Sequence, residues 1–128
     1  MNDEEQIRHL LATYAQRTDD NDVPGKCALF AEDAQYFPTT GQVVGRRAIR
    51  EELERRQATR PQDRHTKHMC SNSVIVVDGD TAHASTDYVV YQRSGQEPWT
   101  ILVVGRYLDR FVRHGTTWLY AENRPMSL

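Results

Sequence analysis

The chain has 128 residues and a formal net charge of −2, the size of a single domain spanning 1–128, and such a domain buries roughly two thirds of its unfolded surface. Its sixteen Lys and Arg are mixed among eighteen Asp and Glu, which argues against a nucleic-acid or anionic-membrane footprint and leaves a small molecule or another protein as partner. No apolar run approaches the ~20 residues that span a bilayer, Cys27 and Cys70 form no C-x-x-C, and the N-terminus lacks a signal-peptide pattern, so a reduced cytoplasmic protein is expected.

The first predicted element is a helix. Ile7, Leu10, Leu11 and Tyr14 stand at i, i+3, i+4 and i+7 behind the acidic turn Asp3, Glu4, Glu5, and the pattern runs to about Thr18 before TDDND breaks it. Val23-Pro24 restarts a short second helix through Cys27, Ala28, Leu29 and Phe30, ahead of the strand-like Gln35-Tyr36-Phe37. Gly41 and Gly45 bound a brief extended piece. Residues 46–57 read as a third helix with Ala48, Ile49 and Leu53 inward and Arg47/Glu51, Glu51/Arg55 and Glu52/Arg56 spaced for ion pairs on a solvated face. Four antiparallel strands follow in a meander, at about 66–78, 81–93, 98–113 and 117–124, with turns at Asp78-Gly79-Asp80, Ser94-Gly95 and His114-Gly115. A strand of sixteen residues at ~3.3 Å each outruns a small domain, so the third must bend, and Gly105 is the expected bulge. A bent sheet is concave, and helices laid on it enclose a pocket.

Two polar clusters could furnish that pocket: Tyr14 and Asp19 at the end of the first helix, and Thr66, His68, Ser71 and Asn72 at the start of a strand. A carboxylate that accepts one ring N–H of a histidine leaves the other nitrogen free to take a proton, which makes the pair an oriented general base. Fourteen of the sixteen basic residues are Arg, so a cation facing a cavity would be a guanidinium suited to carbonyl or carboxylate oxygens. A metal is not expected. His65 and His68 are three apart on a strand and face opposite ways, and a calcium loop counted from Asp20 meets Pro24 and Ala31 at ligand positions. No glycine loop for a nucleotide and no G-x-S-x-G is present, so no cofactor is expected.

The order helix, short helix, LFAEDAQYF, G-x-x-x-G-R-x-A-I, H-x-x-S-N-S-V-I-V-V-D-G-D-T-A and GRYLDRFVRHGTTW resembles the SnoaL-like branch of the NTF2-like cone proteins over nearly the whole chain. The resemblance implies an α+β fold, with three N-terminal helices packed on a curved antiparallel sheet that encloses a hydrophobic pocket, and a homodimer paired through the open sheet face. It also implies a cofactor-independent lyase or isomerase, of dehydratase or polyketide-cyclase type, acting on a hydrophobic, cyclic small molecule. Asp19 and His68 stand where its dehydratases carry their catalytic pair, and Tyr14 where a tyrosine recurs. The ketosteroid isomerase base is not matched, because the strand after F-A-E-D-A reads Tyr36-Phe37-Pro38. Arg106 is expected to meet a cavity oxygen or solvent, Asp87 is a candidate whose strand face the alternation leaves open, and Phe37 and Trp99 are candidate pocket walls. On this reading Asp19→Asn costs less than His68→Ala, since it loosens the ring without removing the proton acceptor. The alternative is a non-catalytic ligand-binding protein or the small subunit of an aromatic-ring dioxygenase.

Overall fold

The computed structural model describes residues 1–39 and 41–128. Helix α1 spans Asp3–Asp19, with the Asn2 side chain accepting from Glu5 N–H at 2.9 Å and capping its first turn. Its stripe Ile7, Leu10, Leu11 and Tyr14 is buried, and the chain leaves it through Asn21 at φ 59°. Helix α2, Val23–Cys27, is capped by Asp22 and carries Pro24 in its first turn. Strand β1, Phe30–Tyr36, begins earlier than its sequence suggests, because Phe30, Ala31 and Ala34 are all buried in the core and belong to the strand rather than to α2. Strand β2 is the pair Val43–Val44. Helix α3, Arg46–Thr59, buries Ile49 and Leu53, and Arg46 ties its start to β1 by donating twice to the Phe30 carbonyl, at 2.9 and 2.6 Å. On its outer face Arg47 pairs with Glu51, but Arg55 turns to Glu52 instead of Glu51.

Strands β3 (Arg64–Asp78), β4 (Thr81–Ser94), β5 (Thr100–His114) and β6 (Thr117–Ser127) form the expected meander. The whole sheet runs β2-β1-β6-β5-β4-β3. It is not purely antiparallel, since β1 lies parallel to β6. The outer edge of β6 is where β1 finds backbone partners: Tyr120 N–H donates to the Leu29 carbonyl at 2.8 Å and Phe37 N–H to the Asn123 carbonyl at 3.1 Å. The helices pack against this curved, open, six-stranded sheet, and the α1 stripe meets Phe30, Phe111, Trp118 and Tyr120 in the main core.

The bend does not fall at Gly105, which stays in register with Tyr88. The register slips elsewhere: at Asn72 on β3, whose φ is 54°, near Leu102 on β5, and at Ala121 on β6. Gly105 serves packing instead. A Cβ there would lie 2.4 Å from the Tyr88 ring and 2.5 Å from the Met126 carbonyl oxygen, which belongs to the β6 backbone and cannot move without disturbing the sheet. Gly105→Ala is therefore expected to destabilise the fold by about 1–3 kcal/mol, the usual cost of overpacking, read as a lower urea midpoint. An unchanged midpoint would mean that Tyr88 has room to swing away.

Candidate functional site

The alternation of β3 sends Thr66, His68 and Cys70 inward and leaves His65, Lys67 and Met69 exposed. β3 is an edge strand, so the His68 N–H has no sheet neighbour on its open side. Asp19, the last residue of α1, supplies the missing acceptor. Its Oδ2 accepts from His68 N–H at 2.9 Å, and its Oδ1 lies 2.6 Å from His68 Nδ1 and 3.2 Å from the Thr66 hydroxyl. One carboxylate thus fixes both the strand edge and the imidazole. Burial alone would raise the Asp19 pKa, but the hydrogen bonds from the His68 ring, its backbone and Thr66 outweigh it and hold the carboxyl below its ordinary range. An ionised carboxylate accepts only, so Nδ1 carries a ring proton, and in the neutral imidazole Nε2 keeps its lone pair.

His68 lines a cavity of about 510 Å³, a size suited to a small organic ligand. Tyr36, Tyr88, Tyr107, Leu53 and Val90 form much of its wall, and Tyr88 stacks on Tyr107 at 4.1 Å between ring centroids. Phe37 is also a wall residue, with the Arg124 guanidinium 3.9 Å from its ring centroid. The rim contributes Arg17 of α1, Arg56 of α3 and Arg60 just past the end of α3.

Tyr14 faces the cavity and heads a buried chain. Its hydroxyl donates to Asn123 Oδ1 at 2.9 Å, and Asn123 Nδ2 donates to Asp109 Oδ1 at 2.7 Å. Asp109 is 2% exposed, and its Oδ2 meets no partner among the described residues. Burial pushes its carboxyl up to about 8, so it is largely neutral at pH 7. Burial likewise raises the Tyr14 phenol well above its ordinary value. In this arrangement the Tyr14 proton is committed to Asn123, and what the hydroxyl offers a ligand is a lone pair.

Five expected site residues lie elsewhere: Asp87, Arg106, Asn72, Trp99 and Ser71. Asp87 and Arg106 sit on the outer sheet face, opposite Thr86, Tyr88 and Tyr107, and there they pair with each other at 2.6 Å while Asn72 donates to Asp87 at 3.3 Å. A guanidinium with a carboxylate beside it has its partner already and does not face the cavity. Trp99 lies before β5, 45% exposed, with the Arg93 guanidinium 5.0 Å from its ring. Ser71 is exposed as well. Among the described residues no three His, Cys, Asp or Glu side chains could hold a metal ion, and no helix is long and apolar enough to cross a membrane.

Lys26, Asp109 and Asn123 were not singled out by sequence. Asp109 could have been, since it shares strand parity with Tyr107 and Phe111. Asn123 could not, because the slip at Ala121 reverses the parity that Trp118 and Tyr120 establish.

The profile of the SnoaL-like domain matches residues 1–124. The chain belongs to the SnoaL-like family. Solved structures with this fold include an NTF2-like protein with a cystatin-like fold from Novosphingobium aromaticivorans, 26% identical, at a TM-score of 0.82 over 98% of this chain and 82% of that one. A proposed scytalone dehydratase from the same organism is 24% identical, at 0.83 over 98% and 83%. The β subunit of a proposed aromatic-ring-hydroxylating dioxygenase, also from that organism, is 20% identical, at 0.81 over 96% and 87%. Among curated protein sequences none matches the chain. In this SnoaL-like protein the cavity is lined from the helices and from the curved sheet.

Proposed function

We propose that this SnoaL-like protein is a cofactor-independent lyase or isomerase, of dehydratase or cyclase type, acting on a hydrophobic, ring-containing small molecule. The observation that carries the reading is the Asp19–His68 pair at 2.6 Å in the wall of the cavity. His68 Nε2 takes a proton from carbon next to an electron-withdrawing group, and the electron pair left behind expels a hydroxide, closes a ring or is reprotonated elsewhere. Tyr14 orients the substrate by accepting a hydrogen bond from a hydroxyl. The four tyrosine rings and the aliphatic walls favour a flat or cyclic body over a flexible polar one. The test is a thermal-shift screen of polyketide, terpenoid and steroid-like carbonyl compounds, followed by turnover of each hit by the wild type and by His68→Ala. Hits that bind but are never turned over would favour a ligand-binding module.

Assembly forms part of the same reading. The outer sheet face carries Met69 and Val104 exposed on one side of the Asp87–Arg106 pair, Val74 and Leu108 on the other, and Met126 in the same row as the pair. Large apolar side chains exposed on one sheet face favour burial against a partner. Two such faces in contact make a homodimer, with each Asp87–Arg106 pair flanked by apolar groups. Sedimentation is expected at twice the chain mass, and Leu108→Asp is expected to give monomers that keep their circular dichroism. A wild type that sediments as a monomer would refute this. A complex found only with a larger, different subunit would favour the dioxygenase reading.

A further inference from the structure

The second lysine of the chain, Lys67, is exposed on β3, whereas Lys26 is 7% exposed and sits inside the fold on the five-residue helix α2. Its side chain lines the same cavity as His68, with Nζ 4.6 Å from the centroid of the Tyr14 ring. Among the described residues no carboxylate pairs with that ammonium and no oxygen accepts from it. The nearby acid Asp22 is occupied in capping α2 through Gly25 N–H, and Asp19 is held by His68 and Thr66. Arg56 of α3 adds a repulsive charge, and burial and Arg56 together lower the Lys26 pKa to about 8. A ring face offsets only part of the hydration that a buried ammonium gives up. Three N–H donors therefore stand in a cavity wall over the Tyr14 ring, with no hydrogen-bond acceptor among the described residues and within electrostatic reach of Asp19 and Arg56; Arg17 and Arg60 line the same cavity.

We propose that Lys26 Nζ is the counter-charge for an anionic oxygen of the ligand, so that the cavity selects hydrophobic ring compounds bearing an acidic oxygen, a carboxylate or an ionised phenol, over their uncharged analogues. The inference rests on the reading of this cavity as a ligand site. It also supplies what Tyr14 lacks. With the phenol proton bound to Asn123, the cation that faces substrate oxygen is Lys26, and Tyr14 holds the ammonium in place through its ring.

The test is calorimetric titration of the intact protein with 2-naphthoate against 2-naphthamide, and with the anion of 4-nitro-1-naphthol against its methyl ether. At least one anion should bind the wild type about tenfold or more tightly than its neutral partner, as expected when a desolvated charge meets its complement. Lys26→Met keeps the aliphatic stem and removes the unpaired charge, so it should fold at least as well as the wild type, and its preference should fall to within about twofold. Lys26→Arg should retain a preference, and Lys26→Gln serves the same comparison if Lys26→Met does not fold. The proposal is overturned if neither anion is preferred, if neither binds at millimolar concentration, or if the preference survives in Lys26→Met, which would assign it to the rim arginines. Because the titration needs no turnover, its outcome is separate from that of His68→Ala. Failure of the general-base reading leaves this result standing, and the reverse also holds.

Discussion

Once a substrate is in hand, His68→Ala should turn it over about 10² to 10⁴ times more slowly, the usual worth of a positioned proton acceptor, with its far-ultraviolet dichroism unchanged. Asp19→Asn should be nearly as damaging. Asp19 Oδ2 accepts from the His68 backbone N–H, a donor that cannot reverse its role. The variant must keep its amide oxygen there, which turns the amide NH₂ toward the ring nitrogen now 2.6 Å from Oδ1. Nδ1 then has to accept, the ring proton moves to Nε2, and the base loses the lone pair that faces the substrate. Thr66 adapts at little cost, because its hydroxyl can rotate to accept from the same NH₂. Nitrogen NMR of the imidazole separates the two explanations. A ring protonated at Nδ1 in the wild type and at Nε2 in Asp19→Asn is expected, whereas a wild-type tautomer with lost activity would mean that Asp19 acts by another route. Full activity in His68→Ala would remove the base from this site altogether.

The effect of Asp19→Asn is where sequence and structure part. Sequence order and periodicity were enough for the three helices and the meander, because each rests on local spacing: Ile7, Leu10, Leu11 and Tyr14 on one helical stripe, and glycines at the turns. They were also enough to bring α1 and β3 together as a hypothesis. The second contact of Asp19, to backbone rather than side chain, depends on β3 being an edge strand, which no local pattern encodes. The same holds for β1 lying parallel to β6. The outer placement of Asp87 and Arg106 follows from strand parity, but parity has an origin only once one inward residue is known, and the slips at Asn72, Leu102 and Ala121 reset it along the sheet. Lys26 was hidden for a different reason. A five-residue helix is too short to have a stripe, so nothing in its sequence separates a buried lysine from a solvated one.

Asp109 should make the protein lose stability as pH rises, and Asp109→Asn should remove that dependence. The sign follows from the protons bound. In the fold the carboxyl holds its proton up to about pH 8, whereas its ordinary value is 3.8. Between those values the native state binds a proton that the unfolded chain has released, so unfolding becomes easier with each unit of rising pH, by about 1.4 kcal/mol per unit. Over the interval the effect of this one group is on the order of 5 kcal/mol, an upper figure because relaxation and water entry reduce it. Asp19 works in the opposite sense. Its pKa is lowered in the fold, so it adds stability above the ordinary carboxylate range and withdraws it only as the solution becomes more acidic. The informative quantity is therefore the difference between wild type and Asp109→Asn in urea unfolding at pH 5, 7 and 9. At pH 5 the neutral acid and the amide have nearly the same shape, and both can accept from Asn123 Nδ2, so the difference should be small. At pH 9 the variant should be the more stable by several kcal/mol, because it has no charge to bury. A constant difference across the three pH values would mean that Asp109 titrates normally, and that water or a shifted Arg124 reaches the Oδ2 atom that meets no partner among the described residues. The same variant reports on the site, since Asn123 lies between Asp109 and Tyr14. Acid, carboxylate and amide at position 109 can all accept from Asn123 Nδ2 and leave its Oδ1 toward the Tyr14 hydroxyl, so affinity for an uncharged ligand should differ little between wild type and Asp109→Asn from pH 7 to 9.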